Sequence, residues 1–543
     1  MSLRQSNVKK LASVEFDVLV VGGGINGAVS AASLAARGVR VALIDKGDFA
    51  SGVSSNSSNL AWGGIKYLET HEYLLVNKLC KSRNHLMKHY PSTVKEVRFF
   101  TTIQRGFRFW PWFIFLGTIV YWLMGRCVTR PPRYVSAKAM EKAEPVINTS
   151  DASGGFEYSD CYLYDNDARF VFNFIRGSLN YGCIAANYVE SVAAKRENGQ
   201  WLTTARDGVS GETITIRSTA VINACGPYVD QVNQVAGEKT DYHHLFSKGV
   251  HLIVDRITDN LRVLTFFASD GRLFFLIPMG PKTCIGTTDT QVDSPVVSVS
   301  DEDRDFILSN ANAVLDLEKP LTRSDVIAER VAVRPLARKG RGGVADWVEL
   351  SRKHQVEVNA EDQYLSIFGG KLTDCLNVGN EVADKIARFG VSVPYPDKKW
   401  YGEPGEELRD EFMLQAQLMH LDALTDESSS EPLSQRFWRR YGEAAFGLLE
   451  RIREDVSRAE LLIKTSEYTR CEIELAARRE MIVKLEDFMR RRSKIELVVR
   501  RDEILSAPGL REASEILFGD QAEARLQEYI RNMISAQEER GAA

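Results

Sequence analysis

The stretch that decides the fold is Asp17-Val18-Leu19-Val20-Val21-Gly22-Gly23-Gly24-Ile25-Asn26-Gly27, which joins an apolar run to a G-x-G-x-x-G motif. The apolar run predicts a buried parallel strand, and the small residues between Ala28 and Ala36 predict a helix that begins at the motif. The first glycine permits a tight turn, the second lets backbone N–H groups approach a phosphate, and the third lets helix and strand pack closely. The helix N-terminus is therefore predicted to bind a pyrophosphate.

A second predicted strand, Val39 to Ile44, ends on Asp45, where a carboxylate accepts hydrogen bonds from ribose hydroxyls and disfavours a 2′-phosphate. An ordinary glycine-rich turn is the alternative, but the strand, glycines, helix, second strand and acid follow the order that a dinucleotide site requires. The residues predicted to bind the nucleotide are Gly22, Gly24, Ile25, Asn26, Gly27, Asp45 and Lys46.

The residues just past the acid indicate which dinucleotide is bound. Residues 50–59 and 63–69 form a polar, glycine-containing loop at a point where a nicotinamide enzyme normally continues into another crossover helix. Such a loop can satisfy a second large planar group with many acceptor atoms at its edge, which favours FAD. The predicted contacts from this loop are Ser54, Ser55, Ser57, Ser58, Gly63 and Gly64.

Together, the glycine motif, the serine-rich loop and Gly63-Gly64-Ile65-Lys66-Tyr67-Leu68-Glu69 resemble the FAD-dependent glycerol-3-phosphate dehydrogenases and oxidases. Further motifs match in the family's order, which makes the resemblance far more specific than any single motif. They are Gly155-Phe156-Glu157-Tyr158-Ser159-Asp160, Asp167-Ala168-Arg169, Asn223-Ala224-Cys225-Gly226-Pro227-Tyr228-Val229, Ile285-Gly286-Thr287-Thr288-Asp289, Val333-Arg334-Pro335-Leu336 and Phe368-Gly369-Gly370-Lys371-Leu372-Thr373. The resemblance implies oxidation of sn-glycerol 3-phosphate to dihydroxyacetone phosphate, with electrons passed from flavin to membrane quinone.

The fold class we expect is α/β, with a two-dinucleotide-binding, Rossmann-like FAD domain. Short β-rich runs between 250 and 286 predict an antiparallel-sheet substrate domain, and Glu, Arg, Leu and Ala at helical spacing over 406–535 predict a helical C-terminal domain. The expected boundaries are 1–90, 151–240 and 355–395 for the FAD domain, 91–150 and 241–354 for the substrate domain, and 400–543 for the helical domain.

Later segments are predicted to complete the FAD site. Gly226 lies in a small-residue turn that suits close approach to the pyrophosphate. A strand at 184–192 brings Val189 against adenine, or is an ordinary core strand. The turn with Gly370, Leu372 and Thr373 opens a helix whose N–H groups can hydrogen-bond the flavin N1–C2=O edge.

The expected chemistry needs a base for the substrate hydroxyl and cations for its anionic group. By resemblance, Arg334, Lys371 and Lys66 form the cationic clamp, with Arg352 a fourth member whose local match is poor. His251 is the candidate base, although a lone histidine is more often structural, and Tyr67 is a candidate donor to a substrate oxygen.

The substrate loop departs from the family pattern Ser-Lys-Leu-Ile-His-Gly-Gly-Leu-Arg-Tyr-Leu-Glu. Asn59, Trp62 and Lys66 replace its lysine, histidine and arginine, and Asp374 stands where threonine is common. Lysine cannot make the planar two-point contact of arginine, so phosphate binding is expected to be weaker or differently shaped. Oxidation of another small anionic alcohol or amine, with quinone or oxygen as acceptor, is therefore the alternative function. A non-catalytic flavin-binding scaffold is a third hypothesis, which the convergent cations argue against.

The composition excludes other classes of function. A net charge of −4 gives no basic footprint for nucleic acid. The eight cysteines lack C-x-x-C or metal-ligand spacing, so reduced, mostly buried thiols and no metal are expected. Because the first apolar run carries the nucleotide motif, it is not a signal peptide, and a cytoplasmic location is expected. A homodimer is left open.

Residues 109–124 are a run without charges that holds three tryptophans and is flanked by arginines. This composition predicts a helix that lies in one leaflet at the inner face of the cytoplasmic membrane, because about 24 Å of helix is too short for the ~30 Å hydrocarbon core. A buried helix in the substrate domain is the alternative. The arginines at 490–492 and 500–501 are interpreted as solvated helix faces or as contacts to anionic lipid.

Overall fold

A computed structural model describes residues 2–340 and 353–542 of the chain. The strands are β1 (Glu15–Val21), β2 (Val41–Ile44), β3 (Leu60–Ala61), β4 (Val94–Gln104), β5 (Arg133–Val135), β6 (Ala152–Leu163), β7 (Ile184–Ala186), β8 (Val189–Glu197), β9 (Gln200–Asp207), β10 (Thr213–Asn223), β11 (Tyr242–Asp255), β12 (Arg262–Phe267), β13 (Leu273–Met279), β14 (Lys282–Gly286), β15 (Thr290–Val292), β16 (Ala328–Lys339), β17 (Gln355–Asn359) and β18 (Tyr364–Phe368).

The helices are α1 (Leu3–Ser13), α2 (Ile25–Ala36), α3 (Tyr73–His89), α4 (Pro111–Met124), α5 (Ala137–Ala143), α6 (Asp167–Asn180), α7 (Val229–Ala236), α8 (Asp301–Val314), α9 (Cys375–Arg388), α10 (Glu406–Leu418), α11 (Leu433–Tyr441), α12 (Ala445–Glu454), α13 (Arg470–Arg479), α14 (Ile495–Val498), α15 (Arg501–Ser506), α16 (Pro508–Phe518) and α17 (Ala522–Ala542). Short 3₁₀ helices at Ile65–Leu68 and Leu372–Asp374 and a π-helical turn at Asp487–Arg492 matter for the site.

Sheet A has the order β17-β18-β10-β1-β2-β7, with β9 beside β10 and β8 beside β9. Strands β18, β10, β1, β2 and β7 run parallel, so their carboxyl ends meet at one edge. The continuous apolar sequence of β1 is explained by its burial in the middle of the sheet, with α2 packing against α6 and α9 on one face and α1 on the other. The predicted strand–turn–helix unit is confirmed.

Sheet B has the order β15-β11-β14-β13-β12-β4-β6-β3, with β16 beside β11 and β5 beside β6. Its pairs are antiparallel except for β12 with β4. The predicted domain boundary at residue 151 differs from this topology, because β6 pairs with β4 and lies in sheet B. Within β6, Phe156 and Tyr158 face a hydrophobic cluster while Glu157 and Ser159 lie on the opposite face of the strand.

The C-terminal region from α10 onward is helical, as predicted, and packs against both sheets. The cysteines are free, and most are buried, in agreement with the prediction. None of the described helices has the length and apolar character that crossing a membrane requires.

The arginines at 490–492 are neither a solvated face nor a lipid contact, which corrects both interpretations of this cluster. The Arg492 guanidinium is fully buried and donates to both carboxylate oxygens of Asp48 at 2.8 Å, and Arg491 donates to the same carboxylate at 2.7 Å. Arg490 donates to the Glu329 carbonyl oxygen at 2.9 Å. Arg491 and Arg492 therefore bind the helical C-terminal region to the loop that follows β2.

We expect Arg492→Leu to lower the free energy of unfolding by about 3 kcal/mol, the lower end of the cost of breaking a buried pair, because Arg491 still neutralises Asp48. Denaturant unfolding measures this loss. Arg500→Leu is the control, since Arg500 pairs with the exposed Asp255, and it should cost less than about 1 kcal/mol. Equal effects of the two substitutions would contradict a structural role for the buried pair.

Candidate active site

The glycine motif forms a tight turn at the carboxyl end of β1. Gly22 adopts φ +106°, and a Cβ there would lie 2.6 Å from the Ala224 carbonyl oxygen. A Cβ at Gly27 would overlap the Gly22 carbonyl oxygen, so only glycine lets α2 pack this closely on β1. The first helical N–H group, that of Ile25, donates to Ser54 Oγ at 3.0 Å. A glycine turn at a helix N-terminus, where the glycines have no side chain to cover the backbone, fits a pyrophosphate.

Asp45 lies at the carboxyl end of β2, beside this turn. Its carboxylate accepts hydrogen bonds from the Gly23 and Gly47 N–H groups at 2.6 and 2.8 Å. Burial raises the pKa of Asp45 to about 6. The Val189 N–H group donates to the Asp45 carbonyl oxygen at 2.7 Å, and the Lys46 ammonium lies 3.5 Å from the centre of the Tyr228 ring. These side chains surround the predicted nucleoside end of the site.

The serine-rich loop runs from sheet A to sheet B. Ser54 contacts the start of α2, and the Ser57 N–H group donates to the Asp167 carboxylate at 2.9 Å. Ser58 Oγ lies 2.8 Å from His251 Nε2, while Ser55 Oγ donates within its own loop to the Gly52 carbonyl oxygen. The loop therefore connects the nucleotide turn to the candidate base.

The other predicted FAD residues lie at the same sheet edge. Gly226 adopts φ +55° in the turn after β10. Gly370 adopts φ +107° after β18, where the preceding Gly369 carbonyl oxygen accepts a hydrogen bond from the Asn26 side chain at 3.0 Å. Leu372 and Thr373 follow in the 3₁₀ helix, and Thr373 Oγ1 donates to the Trp62 carbonyl oxygen. Gly63 and Gly64 come directly after Trp62. The turns thus follow the carboxyl ends of β1, β10 and β18, which meet at one edge of sheet A.

His251 lies on β11 and is only 3% exposed. Burial, together with Arg334 and Arg330, lowers its pKa to about 3, so the imidazole is neutral at pH 7. Its Nδ1 has no hydrogen-bond partner within the described ranges. A neutral imidazole can accept a proton, but a lowered pKa makes it a weak base, so a nearby negative charge is needed to raise the pKa of His251 for this role.

Arg334 lies on β16, opposite Ser247 of β11. Its guanidinium donates to Thr287 Oγ1 at 2.9 Å and lies 3.2 Å from the Asp289 carboxylate. A Cβ at Gly249 would lie 2.5 Å from Arg334 Nη2, so the glycine makes room for the guanidinium. Arg334 is therefore held on the same strand pair as His251.

Lys371 lies over aromatic rings. Its ammonium is 4.1 Å from the centre of the Tyr67 ring and 5.6 Å from that of Trp62. Tyr67 is buried, and the neighbouring Lys66 is exposed at the start of the same 3₁₀ helix. The structure thus brings Lys371 to Tyr67 and Arg334 to His251, with residues 58–62 linking the two groups. Arg352 lies outside the described residues.

Asn59 and Asp374, two of the residues that differ from the family pattern, make buried contacts that the sequence did not reveal. Asn59 is buried with φ +55°, and its Oδ1 accepts a hydrogen bond from Arg330 at 3.3 Å. Asp374 pairs with Lys78 at 2.8 Å and lies 3.0 Å from His354 Nδ1. Although burial opposes it, hydrogen bonds from these partners hold the pKa of Asp374 well below its ordinary value. The negative charge of Asp374 is therefore paired with Lys78 and His354.

Arg330 is a site residue that sequence reasoning missed. It is fully buried, donates to the Ser57 carbonyl oxygen at 2.7 Å and lies 3.5 Å from Asp167. The sequence could have indicated this role, because residues 330 and 334 lie four apart in a strand and so share one face. Arg330 holds the serine-rich loop against the strand that carries Arg334.

The fold and the glycine turn are those of a dinucleotide-binding flavoprotein, and comparison with known proteins agrees with this class. The FAD dependent oxidoreductase model matches residues 17–354, and a model described as the C-terminal domain of alpha-glycerophosphate oxidase matches residues 406–511. The chain belongs to the FAD dependent oxidoreductase family. FAD is its cofactor, and the predicted fold class is confirmed.

Several relatives are informative. The chain is 30% identical to glycerol-3-phosphate dehydrogenase 2 of Mycobacterium tuberculosis, over 90% of this chain and 82% of the relative. It is 32% identical to D-erythritol 1-phosphate dehydrogenase of Brucella abortus, over 66% of this chain and 70% of the relative. The structure of the glycerol-3-phosphate dehydrogenase of Bacillus halodurans, complexed with FAD, is similar with a TM-score of 0.72 and 24% identity, and the match covers 98% of this chain and 97% of that one.

We expect Asp45 to make FAD binding pH-dependent. Ribose hydroxyls donate to the ionised carboxylate, so binding must release the proton that Asp45 holds below its pKa of about 6. Only about a tenth of the apoprotein has Asp45 ionised at pH 5, so FAD affinity should fall about tenfold between pH 7 and pH 5. Titration of apoprotein with FAD, followed by flavin fluorescence, measures the affinity.

Asp45→Asn should bind FAD more weakly at pH 7 and should lack this pH dependence. The control is Asp17→Asn, because Asp17 pairs with the exposed Arg40 at the other end of β1. A wild-type affinity that is constant between pH 5 and 7, or normal FAD binding by Asp45→Asn, would contradict the role of this carboxylate.

Proposed function

We propose that the protein oxidises sn-glycerol 3-phosphate to dihydroxyacetone phosphate and passes the electrons to membrane quinone. The observation that carries the proposal is the neutral, buried His251 beside Arg334 at the site of the serine-rich loop. The names of the relatives from Mycobacterium tuberculosis and Bacillus halodurans support the substrate.

Each residue has a defined role in this proposal. FAD, when bound, supplies the acceptor for the hydride that leaves the substrate carbon. His251 accepts the proton of the hydroxyl on that carbon, and an anionic substrate would raise the basicity of the imidazole. Arg334 and Lys371 bind the phosphate, with Lys66 at the exposed mouth of the site, and Tyr67 holds the Lys371 ammonium through its ring.

A second candidate substrate is a longer phosphorylated polyol or another small anionic alcohol. The relative named D-erythritol 1-phosphate dehydrogenase supports this alternative. Trp62 and Lys66 also support it, because they change the shape and the donor geometry of the loop that the family usually builds with histidine and arginine.

Arg334→Ala should lower kcat/KM for the best anionic substrate by about a hundred- to a thousandfold, because a charge-assisted contact in a largely enclosed site is lost. Anaerobic flavin bleaching with sn-glycerol 3-phosphate, D-erythritol 1-phosphate and uncharged glycerol measures this loss and ranks the substrates. The slow reaction with glycerol should be almost unaffected.

Arg323→Ala is the matched control, since Arg323 is a surface cation that pairs with Asp301 and Asp305. An equal loss with charged and uncharged substrates would contradict phosphate binding by Arg334. Faster bleaching by D-erythritol 1-phosphate than by sn-glycerol 3-phosphate would favour the second candidate.

We also propose that α4 attaches the protein peripherally to the inner face of the cytoplasmic membrane. Pro111–Met124 contains no charged residue, yet one face of the helix is exposed to solvent. The exposed fractions are 74% for Trp110, 56% for Trp112, 56% for Phe113, 46% for Leu116, 47% for Val120 and 56% for Leu123. A contiguous face of this kind, with exposed arginines at 105 and 126, has the composition of an interfacial helix. Delivery of electrons to quinone would need this contact.

Replacing Trp112, Phe113, Leu116 and Leu123 with serine should weaken vesicle binding by about two orders of magnitude or more, because four large apolar side chains no longer leave water. Sedimentation with vesicles of mixed phosphatidylglycerol and phosphatidylethanolamine measures the binding. Phe115 and Trp122 are left intact, because Phe115 packs on Tyr134 and Trp122 donates to the Thr129 carbonyl oxygen.

Leu414→Ser with Leu418→Ser on α10 is the control, since these side chains are 56% and 73% exposed on another helix. All variants should keep their FAD. Wild-type protein that fails to bind vesicles, or a four-serine variant that binds as well as the wild type, would contradict the membrane proposal.

A further inference from the structure

A buried carboxylate lies directly behind the substrate loop. Asp160, on β6, is fully buried, and both of its oxygens accept from the Gly63 N–H group, at 3.1 and 3.2 Å. The Tyr121 hydroxyl donates to Asp160 Oδ2 at 2.6 Å, and the Arg83 guanidinium lies 3.3 Å from Oδ1. Asp160 thus satisfies one backbone donor of the substrate loop and is itself held by two buried side chains.

The Gly63–Gly64 turn packs closely on its neighbours and leaves no room for a side chain at either glycine. A Cβ at Gly63 would overlap the Tyr121 hydroxyl, and Gly64 adopts φ +79°, where a Cβ would lie 2.6 Å from the Tyr67 ring. The turn leads straight into the 3₁₀ helix that carries Lys66 and Tyr67. A shift of the Gly63 peptide would therefore move the ring on which the Lys371 ammonium lies.

The side-chain partners of Asp160 come from two helices, α3 and α4. Tyr121 is a buried residue of α4, and Arg83 lies on α3. The neighbouring Asn84 accepts from Arg83 and donates to the Gly125 carbonyl oxygen just past α4, at 2.8 Å. The helix with the exposed apolar face is thereby joined to the substrate loop by hydrogen bonds.

We propose that Asp160, oriented by Tyr121 and Arg83, is a positioning residue for the substrate site. By binding the Gly63 N–H group it fixes the Gly63–Gly64 turn, so that Tyr67 and Lys371 stand at the right place beside the flavin. The inference deepens the proposed function and rests on it for the identity of the substrate. If Asp160 has this role, removing the Tyr121 hydroxyl from α4 should alter both the surroundings of the flavin ring and the rate at which the flavin is reduced.

The test compares Tyr121→Phe and Asp160→Asn with wild type and with Thr118→Val, all as FAD-loaded protein. Thr118 is the matched control, because it is a fully buried hydroxyl on the same helix that donates only to the Phe115 carbonyl oxygen. FAD content should be unchanged in every variant, since the nucleotide turn lies elsewhere. The two measurements are the visible circular dichroism of bound flavin and the anaerobic rate of flavin reduction by sn-glycerol 3-phosphate.

Both Tyr121→Phe and Asp160→Asn should change the visible circular dichroism, and their kcat/KM should fall about tenfold or more, because misplaced reacting groups lose rate steeply. Thr118→Val should match wild type in both measurements. Unchanged spectra and rates in Tyr121→Phe would overturn the proposal, and so would an equal change in Thr118→Val, which would assign the effect to packing of α4. If Asp160→Asn does not fold, Tyr121→Phe decides alone. If sn-glycerol 3-phosphate does not reduce wild-type flavin, the proposed substrate is wrong, and the spectra still decide the positioning role.

Discussion

The buried ion pair between Asp48 and Arg492 joins the loop after the second strand of the chain to its C-terminal domain. Arg169 of α6 and Glu480 make a second buried pair, which joins another part of the FAD-binding region to the C-terminal domain. Because a buried charge without its partner is strongly destabilising, the helical domain can dock in only one arrangement. Asp48 lies three residues after Asp45, so this docking also fixes the nucleoside end of the FAD site. The C-terminal domain therefore holds the loop that follows Asp45 through hydrogen bonds to Asp48.

The substrate end obeys a related constraint, because the chain passes between the two sheets at the place where the chemistry occurs. Residues 50–69 leave sheet A beside Asp45, add β3 to sheet B and return to the flavin edge through Gly63. Buried charges hold this passage at each step, with Arg330 on the Ser57 carbonyl oxygen and Asp160 on the Gly63 N–H group. The positions of His251 and Lys371 relative to one another depend on this loop.

The local parts of the fold could be predicted from the sequence, and the non-local parts could not. The strand, the glycine turn and α2 are specified within residues 17–36, where Gly22 and Gly27 permit close approach of backbone to backbone. Membership of β6 in sheet B is decided by pairing with β4, some sixty residues earlier, which periodicity does not reveal. Charge patterns mislead for the same reason: the run at 490–492 looks like a solvated helix face, and Asp374 looks unpaired until Lys78 and His354 are brought to it.

The environment of helix α4 could not be predicted from its sequence and is known only from its packing. It is apolar all round, so its periodicity does not distinguish a core helix from an interfacial one. The structure makes this distinction, because Tyr121 and Thr118 lie on the buried side while Trp112 and Leu123 are more than half exposed. On the buried side the Tyr121 hydroxyl donates to Asp160, and on the exposed side the proposed membrane contact would remove apolar surface from water. The two sides of one helix thus belong to two different proposals, and different substitutions test them.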